Sequence, residues 1–283
     1  MSITTLAVIG AGTMGHGIAQ VAAAHGLNVL LHDVSLDLIH AARERIRRGL
    51  ERMAEKGKVV NVELALGRIT AATQVEDVSL ADFVIEAVVE NAEVKGDLFR
   101  RLDAVCRPHV ILASNTSSIS ITRLAAATQR PDKVIGLHFF NPVPVMSLVE
   151  VIRGMQTSDA TLRTTITLAE TLGKTPVEVK DTPGFIANRM LLPFINEACY
   201  ALMEGVASAE NIDKVAQLGF NHPMGPLALA DLIGLDVCLA ILEVLHRELG
   251  EDKYRPCPLL RKYVEAGWLG RKTGKGFYSY REQ

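Results

Sequence analysis

Short apolar runs alternate with helix-spaced segments along the first 180 residues of the chain. The runs contain many β-branched side chains and are short, which favours buried strands over helices. We predict strands at Leu6–Ile9, Asn28–His32, Phe83–Ala87, Val110–Ser114, Val134–Phe139, Leu148–Ile152 and Thr175–Lys180. Strands that alternate with helices are typical of a mainly parallel sheet covered on both faces.

The pattern changes at Asp181–Phe185, after which the apolar spacing is helical. Apolar positions recur every three or four residues over 186–204, 209–219 and 227–249, as expected for packed helices. Pro183 and Gly184 form a natural break between the two patterns. We therefore expect an α/β domain over residues 1–182 and an all-helical domain over residues 183–283.

A long helix is predicted at residues 36–56, between the second and third of these strands. It is longer than a crossover between parallel strands needs, and with Val62–Leu66 it suggests a helical hairpin inserted into the α/β domain. Its basic side chains are Arg43, Arg45, Arg47, Arg48, Arg52 and Lys56. Such a run is most simply a solvated helix face, because Glu44, Glu51 and Glu55 are interspersed with it.

Composition, charge and cysteine spacing argue against several classes of function. The 283 residues are 48% hydrophobic and 22% charged with a formal net charge of −2, which gives no general attraction to nucleic acid or to an anionic membrane. No signal peptide or membrane-length apolar stretch is seen. Cys106, Cys199, Cys238 and Cys257 lie too far apart for a zinc site or a disulfide framework. We expect reduced thiols, no metal site and a cytoplasmic protein, with a reducing organelle matrix as the alternative compartment.

A glycine-rich turn follows the first predicted strand. Gly10, Gly12 and Gly15 form Gly-x-Gly-x-x-Gly, and Asp33 ends the next strand eighteen residues after Gly15. Such turns are common, but the strand before it, the helix after it and the acid together predict a Rossmann-type dinucleotide-binding domain. The glycines let the backbone approach a pyrophosphate at the helix N-terminus.

The acid at position 33 also indicates which dinucleotide binds. Asp33 would accept hydrogen bonds from the ribose hydroxyls and would repel a 2′-phosphate. Val34 and Ser35 offer no cation that could offset this repulsion. The sequence therefore favours NAD over NADP.

His138 and Glu150 form a candidate acid–base pair. Each lies in a predicted strand, and a Pro-rich turn separates the two strands, so the side chains could lie next to each other at the sheet edge. An imidazole held by a carboxylate can remove a hydroxyl proton as hydride leaves the adjacent carbon. A histidine on a strand is more often structural, so spacing alone does not establish this role.

Six motifs, in order along the chain, closely resemble those of the L-3-hydroxyacyl-CoA dehydrogenase family, and most of all its short 3-hydroxybutyryl-CoA-type members. They are GAGTMGHGIAQ, ASNTSSI, GLHFFNPVPVM, KDTPGFIANRML, HPMGPLALADLIGLD and GRKTGKGFY. The resemblance implies two domains, dimerisation through the helical one, and NAD-dependent interconversion of (S)-3-hydroxyacyl-CoA and 3-oxoacyl-CoA. It also implies a place in fatty acid metabolism, without indicating the pathway or the acyl length.

The resemblance assigns roles to individual residues. His138 resembles the catalytic acid–base and Glu150 its orienting partner, while Ser117 and Asn188 resemble the groups that bind the 3-oxygen of the substrate. The residues implied in cofactor binding are Gly10, Gly12, Thr13, Met14, Gly15, Asp33, Glu90, Lys95, Asn115, Ser117, Asn141 and Lys272. A role for Lys272 requires the C-terminal tail to fold back over the cleft.

Coenzyme A is the least clearly marked partner in the sequence. Lys56 resembles the family's CoA-contacting lysine, but Gly49 stands where larger members place a serine. An acyl-carrier-protein-linked or free hydroxy acid therefore remains an alternative substrate. A non-catalytic, crystallin-like protein is a more remote alternative, against which the intact Ser117, His138, Glu150 and Asn188 argue.

Overall fold

Eight strands form one sheet in the first part of the chain, in the order β3-β2-β1-β4-β5-β6-β7-β8. The computed structural model describes residues 3–57 and 61–280. Its strands are Thr5–Ile9 (β1), Asn28–His32 (β2), Ile69–Ala72 (β3), Phe83–Glu86 (β4), Ile111–Ser114 (β5), Val134–Phe139 (β6), Leu148–Arg153 (β7) and Thr175–Lys180 (β8). Neighbouring strands are parallel except β6 and β7, which are antiparallel.

Strand β3 was missing from the sequence prediction, whereas the other seven strands lie within one residue of their predicted bounds. It has only four residues, Ile-Thr-Ala-Ala, and its two central residues are exposed. It pairs with β2 alone, at the edge of the sheet. A run this short and this weakly apolar carries no strand signal of its own, so its pairing partner decides its conformation.

Among the described residues of this part, six α-helices accompany the sheet: Thr13–Ala24 (α1), Leu36–Glu55 (α2), Val62–Gly67 (α3), Ala92–Val105 (α4), Ile121–Ala125 (α5) and Asp159–Thr171 (α6). Helix α2 buries Ile39, Ala42, Ile46 and Leu50 in the core that also contains the sheet. These positions recur at helical spacing, which leaves the basic side chains on the opposite faces. The interpretation of α2 and α3 as an inserted hairpin stays a prediction.

The chain divides into two compact units between Thr182 and Pro183. The second unit has its own core and contains Ala187–Met203 (α7), Ala209–Gly219 (α8), Pro226–Ile233 (α9), Leu235–Leu249 (α10) and Pro258–Glu265 (α11). The predicted helical segment 227–249 is broken at Gly234, whose φ of 108° ends α9. Only glycine adopts such a φ without strain. In the described ranges, no helix is both long and apolar enough to cross a membrane.

Two buried aspartates hold the C-terminal tail in the second unit. Asp231 accepts hydrogen bonds from the backbone N–H groups of Phe277 and Tyr278 and from the Tyr280 hydroxyl. Asp213 accepts one from the Tyr278 hydroxyl, at 2.8 Å. Burial, together with Asp231, raises the pKa of Tyr280 to about 12. The tail is therefore a fixed part of this unit.

Candidate active site

The carboxyl ends of β1, β2, β4, β5 and β6 meet at one edge of the sheet, because these strands are parallel. This edge is where open α/β sheets bind their ligands. The glycine-rich turn follows β1, Asp33 follows β2 and Asn115 follows β5. The parallel direction of these strands thereby brings five segments that are distant in sequence to the same edge.

The three glycines of the turn have different structural roles. Gly10 has a φ of 104°, and a Cβ there would lie 2.5 Å from the Ala87 carbonyl oxygen. A Cβ at Gly15 would lie 1.7 Å from the Gly10 carbonyl oxygen, so neither position tolerates a side chain. A Cβ at Gly12, in contrast, would meet nothing within 4 Å. Gly12 precedes α1 and has no side chain to cap its first amides, so the space above it suits a pyrophosphate.

Asp33 is held rigidly at the end of β2. Its carboxylate accepts the backbone N–H of Ala11 at 2.6 Å and that of Val34 at 2.7 Å. It lines a cavity of about 640 Å³ together with the glycine-rich turn. The cavity wall is largely apolar, and Arg45 and Arg101 also line it. This combination suits an adenosine group whose ribose lies at the carboxylate.

His138 and Glu150 face each other across the antiparallel pair β6–β7, as directly opposed residues of the register. The His138 Nδ1 lies 2.8 Å from Glu150 Oε2, and both side chains are buried. A buried carboxylate at this distance holds Nδ1 as the donor, which makes Nε2 the atom that can take up a proton. The predicted adjacency of the two residues is therefore seen in the structure.

The loop between these two strands is anchored by residues that sequence reasoning missed. The buried Lys174 donates its ammonium to the carbonyl oxygens of Val143 and Met146, at 2.5 and 2.9 Å. Gly17 of α1 allows close approach of the same loop, since a Cβ there would lie 2.9 Å from the Val143 Cβ. A loop fixed at both sides keeps β6 and β7 in register.

Asn115 ties the end of β5 to the strand that bears His138. Its side-chain oxygen accepts the Phe139 backbone N–H at 2.9 Å, and its own backbone N–H donates to the Glu86 carbonyl oxygen at 2.8 Å. The side-chain amide can still donate to a ligand at the sheet edge. Asn141, two residues after β6, is exposed.

Ser117 lies in a turn that is organised around Glu90. The Glu90 carboxylate accepts the Ser117 backbone N–H at 3.0 Å and the Thr116 hydroxyl at 2.5 Å. It also accepts the backbone N–H and the hydroxyl of Ser118, at 3.2 and 3.1 Å. Burial alone would raise the pKa of Glu90, but Lys95 and these donors outweigh it and hold the pKa below its usual value. Glu90 is therefore ionised at neutral pH.

Lys95 points into the protein from α4 and is 1% exposed. Its ammonium lies 2.6 Å from Glu86 Oε1 and 3.2 Å from Glu90 Oε2. Glu86, at the end of β4, also accepts the Ser114 hydroxyl at 2.6 Å. Sequence reasoning missed Glu86 because an acid that ends a strand gives no signal of its own.

The residues implied in CoA binding lie on α2. Lys56 follows the helix and is exposed. Gly49 faces the buried Gln20 of α1, whose side-chain oxygen would lie 2.2 Å from a Cβ at position 49. The Gln20 amide donates to the Met53 sulfur at 3.2 Å. The Gln20 side chain thus fills the space that a side chain at position 49 would need.

Asn188 and Lys272 belong to the second unit. Asn188 is the second residue of α7. Lys272 lies 2.6 Å from both carboxylate oxygens of Asp236, in the first turn of α10. The predicted contacts of these two residues with substrate and cofactor stay predictions.

His138 is held by a carboxylate and lies at the same sheet edge as the glycine-rich turn. An enzyme needs such a histidine to remove a hydroxyl proton while hydride passes to a nicotinamide. The first unit is that of an NAD-dependent dehydrogenase. Residues 5–182 match the model of the 3-hydroxyacyl-CoA dehydrogenase NAD binding domain, and residues 184–280 match that of the C-terminal domain. The chain therefore belongs to the 3-hydroxyacyl-CoA dehydrogenase family.

Individual relatives agree with this assignment over their whole length. The chain is 57% identical to a probable 3-hydroxybutyryl-CoA dehydrogenase of Bacillus subtilis, covering 100% of this chain and 99% of the relative. It is 56% identical to the 3-hydroxybutyryl-CoA dehydrogenase of Bradyrhizobium diazoefficiens, covering 99% and 96%. The crystal structure of (S)-3-hydroxybutyryl-CoA dehydrogenase from Ralstonia eutropha matches with a TM-score of 0.96 at 51% identity, covering 99% and 100%. The resemblance predicted from the six motifs is confirmed.

Proposed function

We propose that this protein oxidises short (S)-3-hydroxyacyl-CoA thioesters, such as 3-hydroxybutyryl-CoA, to the 3-oxoacyl-CoA with NAD, and that it catalyses the reverse reduction. The observation that carries the proposal is the 2.8 Å contact between His138 and Glu150 at the carboxyl edge of the sheet. The names of the relatives supply the substrate class.

The proton chemistry follows from this pair. In the oxidation, His138 Nε2 takes the proton of the 3-hydroxyl group, and NAD, when bound, would supply the acceptor for the hydride that leaves C3. The imidazole gains a positive charge, which Glu150 offsets at Nδ1. The carboxylate is buried, so little water is present to weaken this attraction. In the reduction, His138 returns the proton to the same oxygen.

Ser117 and Asn188 are the proposed partners of the substrate's 3-oxygen. The 3-oxygen is a hydroxyl group in one direction and a carbonyl in the other, so its partners must both donate and accept. A serine hydroxyl and a carboxamide can do both. We assign the 3-oxygen to these two residues because the family resemblance implies it. The hydrogen bond that the Ser117 backbone N–H donates to the Glu90 carboxylate fixes the backbone there and supports this role.

Coenzyme A is the proposed carrier of the acyl group, with Lys56 as a phosphate contact. Gly49 has no side chain that could contact the nucleotide, so Lys56 and the basic face of α2 would supply the attraction. An acyl-carrier-protein-linked or free hydroxy acid is the second candidate, and a direct comparison of substrates separates the two.

The test compares NADH oxidation with acetoacetyl-CoA, with free acetoacetate and with the N-acetylcysteamine thioester of acetoacetate. We expect kcat/KM for the CoA thioester to exceed that for either truncated substrate at least about 10-fold, because binding energy from a remote group is used in the reaction step. Comparable values for the two thioesters would exclude a specific contact with the nucleotide part of CoA. No turnover of any of the three would contradict the proposed function.

We also infer a homodimer formed through the second unit. Val215 and Leu218 are exposed one turn apart on α8, and Phe220 directly after the helix is exposed too. A cluster of exposed large apolar side chains marks an association surface. Sedimentation equilibrium should give twice the 30.7 kDa chain mass. Leu218→Glu should lower this mass, whereas Leu80→Glu, at an exposed site of the first unit, should not; a parent monomer would contradict the inference.

A reducing cytoplasm is the proposed location. The four cysteines are all free and buried, and burial raises the pKa of Cys106 to about 11 and that of Cys238 to about 12. Thiols of this kind are packing groups and not disulfide partners. Subcellular fractionation is the measurement that checks the location.

A further inference from the structure

The segment that carries Ser117 runs into α5, and one carboxylate holds the start of that helix. Asp181 Oδ2 accepts the Ser120 hydroxyl and the Thr122 backbone N–H, both at 2.8 Å. Its Oδ1 accepts the Ile121 backbone N–H at 3.1 Å. The first N–H groups of a helix have no partner inside the helix and need such an acceptor. Both oxygens of Asp181 are therefore used to fix the beginning of α5.

Asp181 is itself fixed to the strands of the acid–base pair. It directly follows β8, and its backbone N–H donates to the Arg153 carbonyl oxygen, at the end of β7, at 3.0 Å. Strand β7 pairs with β8 on one side and carries Glu150 opposite His138 on the other. Asp181 thus connects the sheet that bears the pair with the segment that leads from Ser117. All of these residues belong to the first unit.

Two further contacts hold the start of α5 against the same strands. The Met155 backbone N–H, just after β7, donates to the Thr122 hydroxyl oxygen at 2.9 Å. The buried Ile121 side chain packs where β6 and β7 have no side chains of their own. A Cβ at Gly136 would lie 2.9 Å from its Cδ1, and one at Gly154 would lie 3.2 Å from its Cγ2. The start of α5 therefore has one seat on the sheet, which Asp181 closes.

The short stretch between Ser117 and α5 can pass a displacement along. Ser117 lies three residues before Ser120. The Thr116 hydroxyl oxygen accepts the backbone N–H groups of Ile119 and Ser118, at 2.9 and 3.3 Å. A turn that is closed by its own hydrogen bonds moves as a unit. A shift at Ser120 would therefore reach Ser117.

The proposed reaction requires two groups from different segments to meet one atom. His138 Nε2, on β6, and the Ser117 hydroxyl must both reach the 3-oxygen of the substrate. We propose that Asp181 is a positioning residue, which fixes the Ser117 segment relative to the His138–Glu150 pair. The assignment deepens the proposed function and rests on it, since that function takes Ser117 to bind the 3-oxygen.

The experiment uses the full-length variant Asp181→Asn. An amide nitrogen replaces one acceptor oxygen, so at least one of the three donors loses its partner. We expect kcat/KM for acetoacetyl-CoA, at saturating NADH, to fall at least about 10-fold, because a small displacement of a positioning group is costly. The inhibition constant of butyryl-CoA, which has the same chain and carrier but no 3-oxygen, should stay within about twofold of the parent. A general loss of structure would weaken both.

Asp82→Asn is the matched control. Asp82 accepts the same kinds of donor, namely the Thr4 hydroxyl and the backbone N–H groups of Thr4 and Thr5, at 2.9 to 3.0 Å. It lies directly before β4, at the opposite end of the sheet from the glycine-rich turn, and it also pairs with Arg107. Its loss should lower Tm at least as much as Asp181→Asn does, while kcat/KM stays within about twofold of the parent.

Coupling to Ser117 tests the path of the effect. If Asp181 acts through Ser117, Asp181→Asn should lower kcat/KM less than about threefold further in a Ser117→Ala background. Should Asp181→Asn fail to fold, Ser120→Ala takes its place, because it removes one of the three hydrogen bonds and keeps the carboxylate. We then expect kcat/KM to fall at least about threefold, again without a change in the inhibition constant of butyryl-CoA.

The assignment is open to contradiction at each step. An unchanged kcat/KM in Asp181→Asn, or in Ser120→Ala where that variant replaces it, would refute it. So would an equal weakening of butyryl-CoA, an equal loss of kcat/KM in Asp82→Asn, or effects that multiply fully with Ser117→Ala. A parent enzyme that does not turn over acetoacetyl-CoA would instead refute the proposed function, and this assignment with it.

Discussion

His138→Gln should lower kcat at least about 100-fold, since glutamine can neither remove the proton of the 3-hydroxyl group in the oxidation nor return it to the 3-oxygen in the reduction. Glutamine has a similar size and can still hydrogen-bond Glu150, so the pairing of β6 with β7 should survive. The measurement is steady-state NADH oxidation with acetoacetyl-CoA, together with the Kd for NADH. We expect the Kd to change less than about twofold, because His138 acts on the substrate hydroxyl and not on the dinucleotide.

Two companion variants show whether the loss comes from chemistry or from structure. Glu150→Gln keeps a hydrogen-bond acceptor at Nδ1 but removes the charge that stabilises the imidazolium, so its kcat should also fall. His109→Gln changes an exposed histidine at the opposite end of the sheet, before β5, and should leave kcat unchanged. Turnover by His138→Gln within a few-fold of the parent would refute the acid–base assignment.

Asp33→Asn should raise the preference for NADPH relative to NADH at least about 10-fold. The carboxylate of Asp33 repels a 2′-phosphate, and like charges placed together cost several kcal/mol. Asparagine keeps an acceptor for the Ala11 N–H, which Asp33 now binds at 2.6 Å, so the turn should hold its shape. The measurement is the ratio of kcat/KM for the two cofactors.

The cavity next to Asp33 supplies a second variant for this prediction. Arg45 and Arg101 line it, and once the acid is gone their charges should favour the added phosphate. Adding Arg45→Ala to Asp33→Asn should therefore reverse part of the gain in NADPH use. Arg48→Ala added to Asp33→Asn should leave the gain in NADPH use unchanged, because Arg48 lies on the same helix but does not line the cavity. An unchanged cofactor ratio in Asp33→Asn would exclude a ribose role for this carboxylate.

The sequence prediction of the fold succeeded where a local pattern was strong. Seven strands have periodic or continuous apolar runs, and each lies within one residue of its predicted bounds. Strand β3 failed because four residues, two of them exposed, carry too little pattern. The break at Gly234 was also missed, because a glycine inside a helical pattern does not reveal its φ.

The candidate site was only partly visible in the chain itself. The glycine-rich turn and Asp33 form a motif with fixed spacing, and their geometry follows from the strand–turn–helix unit that they build. His138 and Glu150 were a candidate pair from their strand positions, and the family resemblance supported their role. Ser117 and Asn188 were recognised through the resemblance alone, because single polar residues on turns and at helix starts are common. Glu86 and Lys174 lie in none of the six motifs, and Gln20 ends the first of them without a role that the motif assigns, so the roles of all three emerged only from their contacts.

The spacing of apolar residues along the chain determines its strands, its helices and the change of pattern at Asp181, because local structure depends on contacts between residues that are close in sequence. The spacing of Gly10, Gly12, Gly15 and Asp33 likewise determines where the glycine-rich turn lies. Tertiary structure decided that Glu150 stands opposite His138, since the β6–β7 register depends on a loop that Lys174 and Gly17 hold from distant parts of the chain. It likewise decided that the ammonium of Lys95 is buried between Glu86 and Glu90. Charges compensate one another through space, and a linear sequence does not show which of its many acids a given lysine will meet.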